Sequence, residues 1–201
     1  MLDSLIRARL RPGIEPVAAA LDRRGVAPGA ITAVGLAVGV GACVAAALAA
    51  WPLALVLWLL NRGFDGLDGA VARRRGPTDL GGMLDFLADF VVYGGFNVGV
   101  AIALPDARIA CAALLAAYLL NNVAMLSFAS LVEKRRLPHG DKRSLRFTAG
   151  LTEGTETIVA YSAICIVPAH AATIAWIFAA MVLFTVGQRV DLARRVLSQP
   201  R

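Results

Sequence analysis

Charge is scarce in this chain: 17% of its 201 residues are Asp, Glu, Lys or Arg, where soluble domains carry about a quarter. Hydrophobic residues make up 58%, and the mean hydropathy is +0.68. That balance argues against a soluble domain and for membrane spans rather than a large soluble core. Cysteine is also rare. Cys43, Cys111 and Cys165 each sit inside an apolar run, which excludes a disulfide framework or a cysteine zinc site and makes them small packing residues. The two histidines, His139 and His170, lie in connections without a partner at metal spacing. No repeat or low-complexity segment is present. The first 27 residues carry five arginines and no continuous apolar core, so no cleavable signal peptide is expected.

What is there is a succession of six apolar segments, roughly 29–50, 52–72, 81–104, 107–131, 146–168 and 170–189. Each approaches the ~20 residues that cross a bilayer as a helix. Several are rich in Gly and Ala, as close helix packing in membranes requires; Gly35, Gly39 and Gly41 in the first are examples. Basic residues alternate in their placement. They gather before the first segment (Arg7, Arg9, Arg11, Arg23, Arg24), between the second and third (Arg73, Arg74, Arg75), between the fourth and fifth (Lys134 to Arg146), and at the C-terminal end (Arg189, Arg194, Arg195, Arg201). The opposite side has only Arg108. The expectation is an all-α integral membrane protein with six transmembrane helices and both termini in the cytoplasm of a bacterial-type inner membrane. The net charge of +6 then marks topology and anionic headgroups, and nucleic acid is excluded as a partner. Before the spans, Ile14, Val17, Ala18 and Leu21 recur at helical spacing. Pro12 and Pro16 confine that amphipathic helix to about Glu15–Arg24, and its place next to a membrane domain favours the headgroup layer. The organisation expected is a cytoplasmic or interfacial segment at 1–27, the membrane domain at 28–190 and a tail at 191–201.

Against this apolar background stands FDGLDGAVARRRGPTDLGGMLDFLADF, Phe64 to Phe90. Carboxylates in or near hydrocarbon need a cation, a proton or a wet cavity. On a helix, Asp65, Asp68, Gly69, Ala72 and Arg73 fall within an arc of about 140°. Small Gly69 and Ala72 leave room beside the carboxylates for a bulky ligand. In the next segment Gly81, Asp85 and Asp89 repeat every four residues on one face. The turn between is short, so the helices are antiparallel neighbours and the two acidic faces share one site at the cytoplasmic end. Four clustered carboxylates call for a cation. Oxygen-only ligands suit Mg²⁺ or Mn²⁺, one ion or a pair, and a pair about 3.5–4 Å apart clamps a phosphoryl group during displacement.

The pattern D-x-x-D-G-x-x-A-R followed by G-x-x-x-D-x-x-x-D resembles the signature of the CDP-alcohol phosphotransferases (CDP-alcohol phosphatidyltransferases). Eight fixed positions make a chance match rarer than about one in 10⁸ per register. The resemblance extends to the six spans and the interfacial helix. The segment APGAIT, Ala27 to Thr32, is similar to the family's P-N-x-x-T entry to the first span, with Gly29 in place of Asn. The resemblance implies that a CDP-linked lipid or alcohol gives its phosphoryl-bearing group to a second alcohol and CMP leaves. It implies that Asp65, Asp68, Asp85 and Asp89 bind Mg²⁺ or Mn²⁺, with two ions expected, and that Asp89 is also the general base. Gly69, Ala72, Arg73 and Gly81 would hold the CDP portion, with Thr32 and Thr78 as further nucleotide contacts. A homodimer is expected on the same ground. Arg74 and Arg75 read as a cytoplasmic anchor cluster, and Asp79 as a solvated turn residue. Asn61 and Arg62 either line the site or satisfy backbone and headgroup.

A second polar string, GLTEGTET from Gly150 to Thr157, places Glu153 and Glu156 on one helix face. Structurally they would pair with Arg143, Arg146 or Arg62, or sit near a helix start, where the dipole favours acids; functionally Glu153 and Glu156, with Arg143 and Arg146, would form the acceptor side of the cavity. The string resembles the G-P-T-E-G element of the choline and ethanolamine phosphotransferase branch, with Leu151 in place of Pro. Two enzyme assignments follow. Transfer of a phosphatidyl group from CDP-diacylglycerol to a water-soluble alcohol is placed first. Transfer from a soluble CDP-alcohol to diacylglycerol is the alternative. A cation or proton-coupled transporter is disfavoured, because its polar groups would run through the membrane's depth.

Overall fold

The computed structural model describes residues 2–135 and 154–198, with side chains from residue 12 onward. Its regular structure is all helical: α1 (Leu2–Arg23), α2 (Pro28–Ala47), α3 (Trp51–Arg75), α4 (Asp79–Ala103), α5 (Arg108–Lys134), α6 (Gly154–Ile166) and α7 (Ala171–Leu197). Single 3₁₀ turns precede α5 and α7. Local chemistry sets the boundaries. Pro28 and Pro52 stand in the first turns of α2 and α3, where a missing N–H costs nothing. Gly25, at φ +78°, ends α1 while the Val26 amide donates back to the Leu21 carbonyl at 3.1 Å, the left-handed cap that glycine favours. Gly76, at φ +90°, turns the chain from α3 toward α4.

Among the described residues, four stretches are long and apolar enough to cross a bilayer: α2, α4, Pro105–Lys134 around α5 and Pro168–Leu197 around α7. The sequence predicts six. Helix α3 has the length, 25 residues, but Arg62, Asp65 and Asp68 interrupt its apolar run. The described part of the fifth segment, α6, is a shorter apolar helix of 13 residues. Large apolar side chains face outward around the bundle, with Leu48, Leu53, Ile109 and Leu119 all more than half exposed. A surface of that kind suits lipid, not water.

Inside, α2 packs against α3 and α4, α5 against α7, and α6 against α3. Small residues permit the closest of these approaches. A Cβ on Gly39 would collide with Val92 Cγ2, and one on Gly99 would lie 2.5 Å from the Cys43 carbonyl oxygen. Gly35 is less tight, at 3.0 Å from Phe64 Cβ, and Gly41 has ordinary contact distance. The core beneath is aromatic: Trp58, Phe96 and Tyr161 are fully buried and in mutual contact.

Helix α1 departs from expectation. It runs through Pro12 and Pro16 instead of starting at Glu15. The two prolines are four residues apart, so both lost backbone bonds lie on one side and the other rows continue. Ala18 is buried, and Ile14 and Leu21 pack with it against Ile31, Ala70 and Val71. The apolar face of α1 therefore meets the protein, at the C-terminal end of α3.

Candidate active site

The charged end of α3 lies beside the start of α4 because the connection, Gly76–Thr78, is only three residues long. Thr78 starts α4 as its cap: its hydroxyl oxygen accepts the Gly81 N–H at 3.1 Å. A Cβ on Gly81 would fall 2.9 Å from that oxygen, so the cap explains the glycine. Asp79 follows in the first turn, where the helix dipole favours an acid. From there α4 presents its stripe toward α3.

Asp65, Asp68 and Asp85 come together as the two sequence patterns predict. Each offers a carboxylate oxygen, and the three oxygens lie within 4.8 Å of one another. Asp68 is buried, and the other two are partly so. The Thr32 hydroxyl, from α2, donates to Asp68 Oδ2 at 2.7 Å. Thr32, expected against nucleotide, is thus seated on a carboxylate of the cluster. Like charges this close repel strongly unless a cation joins them. A donor set of carboxylate oxygens fits a hard divalent ion, and nothing in the set suits a soft one.

Asp89 lines the same cleft as these three, together with Thr32, Asn61 and Arg62. Its immediate partner is Arg62, whose Nη2 donates to Asp89 Oδ1 at 2.8 Å. The Tyr93 hydroxyl lies 3.5 Å from the other Asp89 oxygen and accepts from Arg62 Nη1 at 2.8 Å. Arg62 is held on every side: its side chain is 8% exposed, and its guanidinium lies 5.0 Å from the ring centres of both Trp58 and Tyr93. Asn61 Oδ1 accepts two further bonds from it, while Asn61 Nδ2 donates to the Gly35 carbonyl at 2.8 Å. Asn61 and Arg62 therefore line the site. Tyr93 escaped the sequence analysis, although Gly81, Asp85, Asp89, Tyr93 and Asn97 continue one four-residue repeat; extending the stripe past the last acid would have found it.

The remaining predicted residues separate by face. A Cβ on Gly69 would lie 3.3 Å from Arg73 Nη1, so the Arg73 guanidinium folds back beside Gly69 on the acidic side. Ala72 is half-buried. Arg74 and Arg75 point the other way, to α1: Arg74 pairs with Glu15 and Asp22, and Arg75 Nε donates to Asp22 Oδ1 at 2.7 Å. The Arg75 guanidinium holds the Asp22 carboxyl below its ordinary range, mainly through that hydrogen bond. Glu156 stands half-buried in the first turn of α6. Glu153, Arg143 and Arg146 lie outside the described residues.

An all-helical bundle with an aspartate-rich cleft between adjacent helices, carrying this signature, defines a phosphoryl-handling membrane transferase. The chain belongs to the CDP-alcohol phosphatidyltransferase family, whose model matches residues 25–187. It is accordingly a transferase of substituted phosphate groups in phospholipid synthesis. It is 41% identical over 193 residues to the inner membrane protein YnjF of Escherichia coli K12, covering 94% of each chain. It is 36% identical over 122 residues to the phosphatidylinositol phosphate synthase of Mycobacterium marinum, covering 55% of this chain and 50% of that one. The fold is similar to that of Mycobacterium tuberculosis phosphatidylinositol phosphate synthase. The structure of that enzyme with CDP-DAG bound has a TM-score of 0.71 at 22% identity, covering 90% of this chain and 93% of the other. Its structure with manganese and citrate has a TM-score of 0.71 at 22% identity, covering 90% and 88%.

Proposed function

We propose that the protein transfers a phosphatidyl group from CDP-diacylglycerol to an alcohol hydroxyl, with a divalent metal at the aspartate cleft. The observation that carries this is the convergence of the Asp65, Asp68 and Asp85 oxygens within 4.8 Å in a chain bearing the family signature. The acceptor oxygen forms a bond to the phosphatidyl phosphorus, the bond from that phosphorus to the CMP oxygen breaks, and CMP leaves with the electron pair. Asp89 takes the acceptor's hydroxyl proton. Arg73 and the backbone at Gly69 hold the diphosphate and nucleotide, with Ala72, Gly81, Thr32 and Thr78 around them. A bound Mg²⁺ or Mn²⁺ pair would supply charge neutralisation on the phosphoryl oxygens. Manganese in the mycobacterial synthase structure supports the choice of ion, and CDP-DAG in another supports the donor.

The cleft belongs at the cytoplasmic face, where CDP-linked donors are, with both termini on that side as the basic residues indicate. Helices α3 and α6 complete six spans, with the charges of α3 facing the cleft instead of lipid. Helix α1 lies in the headgroup layer, its inner face on α3. The active form is a homodimer in the inner membrane. The alternative of a soluble CDP-alcohol donating to diacylglycerol is favoured by one feature, the G-x-T-E-G string around Glu153 and Glu156.

CMP release by purified protein in detergent, with Mg²⁺ or Mn²⁺, tests the assignment. CDP-diacylglycerol would be offered with glycerol 3-phosphate, inositol, inositol phosphate, serine, choline and ethanolamine. Release stimulated by one alcohol and lost on chelation is expected. CMP formed only from CDP-choline or CDP-ethanolamine with diacylglycerol would overturn the donor assignment and favour the alternative.

A further inference from the structure

At the end of the bundle away from the aspartates, one cation has no use in the site described. Helix α4 carries the chain about 25 Å from Asp85 to Ile102, and the turn Pro105–Ala107 returns it into α5. An open groove of about 330 Å³ lies between α4 and α5 at this end, at the low end of ligand-pocket volumes, about 300–1,000 Å³. Val98 and Ile102 line it from α4, each about half exposed, and the fully buried Cys111 lies at its floor. Ala112 and Leu115 line it from α5, and so does Arg108, which is exposed. Arg108 Nε donates to the Ala101 carbonyl at 3.0 Å, in the last turn of α4. Among the described residues that is its one hydrogen bond, and no carboxylate pairs with it. Asp106, exposed in the same turn, is not its partner. The guanidinium is thus fixed beside an apolar groove with the N–H donors of both Nη atoms unused.

We propose that this groove binds one phospholipid of the leaflet opposite the aspartate cleft. A stretch of its acyl chain lies between α4 and α5, and its phosphodiester sits on the Arg108 guanidinium. The depth is right for both parts. The membrane-crossing stretch begins at Pro105, so Arg108 stands at the level of lipid phosphates while Val98 and Leu115 lie deeper, among acyl chains. Apolarity alone would not hold a lipid there, because the bilayer's own tails are as apolar as the groove. An unfilled groove does forfeit dispersion contacts along its walls, which a chain restores. Selectivity comes from the arginine, whose planar fork meets two phosphate oxygens at once. Asp106 beside it offsets a general attraction to negative charge, so the group recognised is the phosphodiester and not an anionic headgroup. Phospholipids with anionic and zwitterionic headgroups should therefore bind alike.

The test is native mass spectrometry of the full chain, stripped of lipid in detergent and then offered phosphatidylglycerol, phosphatidylethanolamine or diacylglycerol with the same acyl chains. The unaltered protein should retain either phospholipid, and diacylglycerol at least about tenfold less well, since it lacks the charge-assisted bond. Arg108→Gln should weaken phospholipid retention by about tenfold. Ala112→Trp fills the groove from an exposed position and keeps the arginine; it should also lose the lipid, and it decides the matter if Arg108→Gln does not fold. Asp85→Asn should retain the lipid, whereas loss in that variant would put the lipid in the aspartate cleft and overturn the proposal. An arginine that only caps α4 would lower the thermal midpoint in Arg108→Gln with the lipid still bound, which also overturns it. So would equal retention of diacylglycerol. Unchanged lipid retention in Ala112→Trp with loss of a dimer would place a second copy of the chain in the groove and overturn the lipid. None of these readouts depends on the reaction proposed above.

Discussion

The C-terminal half of α3 carries charge on two sides, and the two sides are built on opposite rules. Toward α1, Arg74 and Arg75 meet Glu15 and Asp22, opposite signs paired at a partly solvated surface. Toward α4, Asp65 and Asp68 meet Asp85, like signs brought together where burial increases their repulsion. The first arrangement is what a helix junction needs and asks for nothing more. The second is unfavourable for the protein alone and becomes favourable with a cation. Clustering by itself would therefore mislead, since both regions are dense in charge. What separates them is that opposite signs alternate across the first side, while three like charges adjoin one another on the second.

The largest effect should come from the crowded side. Asp85→Asn should lower metal-dependent CMP release by at least about a thousandfold, because it removes a ligand and leaves the phosphoryl oxygens without charge neutralisation. A steady-state assay at saturating Mn²⁺ checks this. Thr32→Val should act through Asp68 by deleting the hydroxyl that donates at 2.7 Å. The expected loss is about 10–100-fold in Mn²⁺ affinity, as for other partners of metal ligands, read by titration.

Next in size is the packing on which both sides depend. Gly99→Ala would place a methyl 2.5 Å from the Cys43 carbonyl oxygen, a backbone atom that cannot move aside. It should destabilise the bundle by about 1–3 kcal/mol, seen as a lower thermal midpoint in detergent. The smallest effect belongs to the paired side. Arg75→Ala should leave CMP release within about twofold of the unaltered protein, since exposed pairs contribute little. Acid should act on that same junction. The Asp22 carboxyl sits below its ordinary value of 3.8, so its contribution is present above that pH and is lost as pH falls through the lower, folded value. Hydrogen exchange in α1 should accordingly be insensitive to pH-dependent loosening near neutrality, after correction for intrinsic rates, and should rise only in strong acid.

Much of the crowded side was legible in the sequence because helical spacing alone puts Asp65 with Asp68, and Asp85 with Asp89, each on one face. The short turn then forces the two faces together. The division among the four acids was not legible, since it depends on how far α4 is rotated against α3, and spacing within either helix says nothing of that. Arg62 was ambiguous for the same reason: its partner, Asp89, is 27 residues away. On the paired side, the apolar face of α1 is visible in the sequence, but its length is not, because Pro12 and Pro16 mark a helix boundary by local rules and yet lie inside the helix. Arg74 and Arg75 read as an anchor cluster in the sequence; their pairing with α1 was not legible, because Glu15 and Asp22 lie 52 to 59 residues away.

The central claim is that the carboxylates of Asp65, Asp68 and Asp85 enclose a divalent ion. Crystals of the protein grown with Mn²⁺ and measured at a wavelength where manganese scatters anomalously would test it most directly. The account predicts an anomalous peak between those three carboxylates, lost in Asp85→Asn. A structure at saturating Mn²⁺ with no peak there, or with manganese held only by the surface acids Glu15 and Asp22, would contradict it.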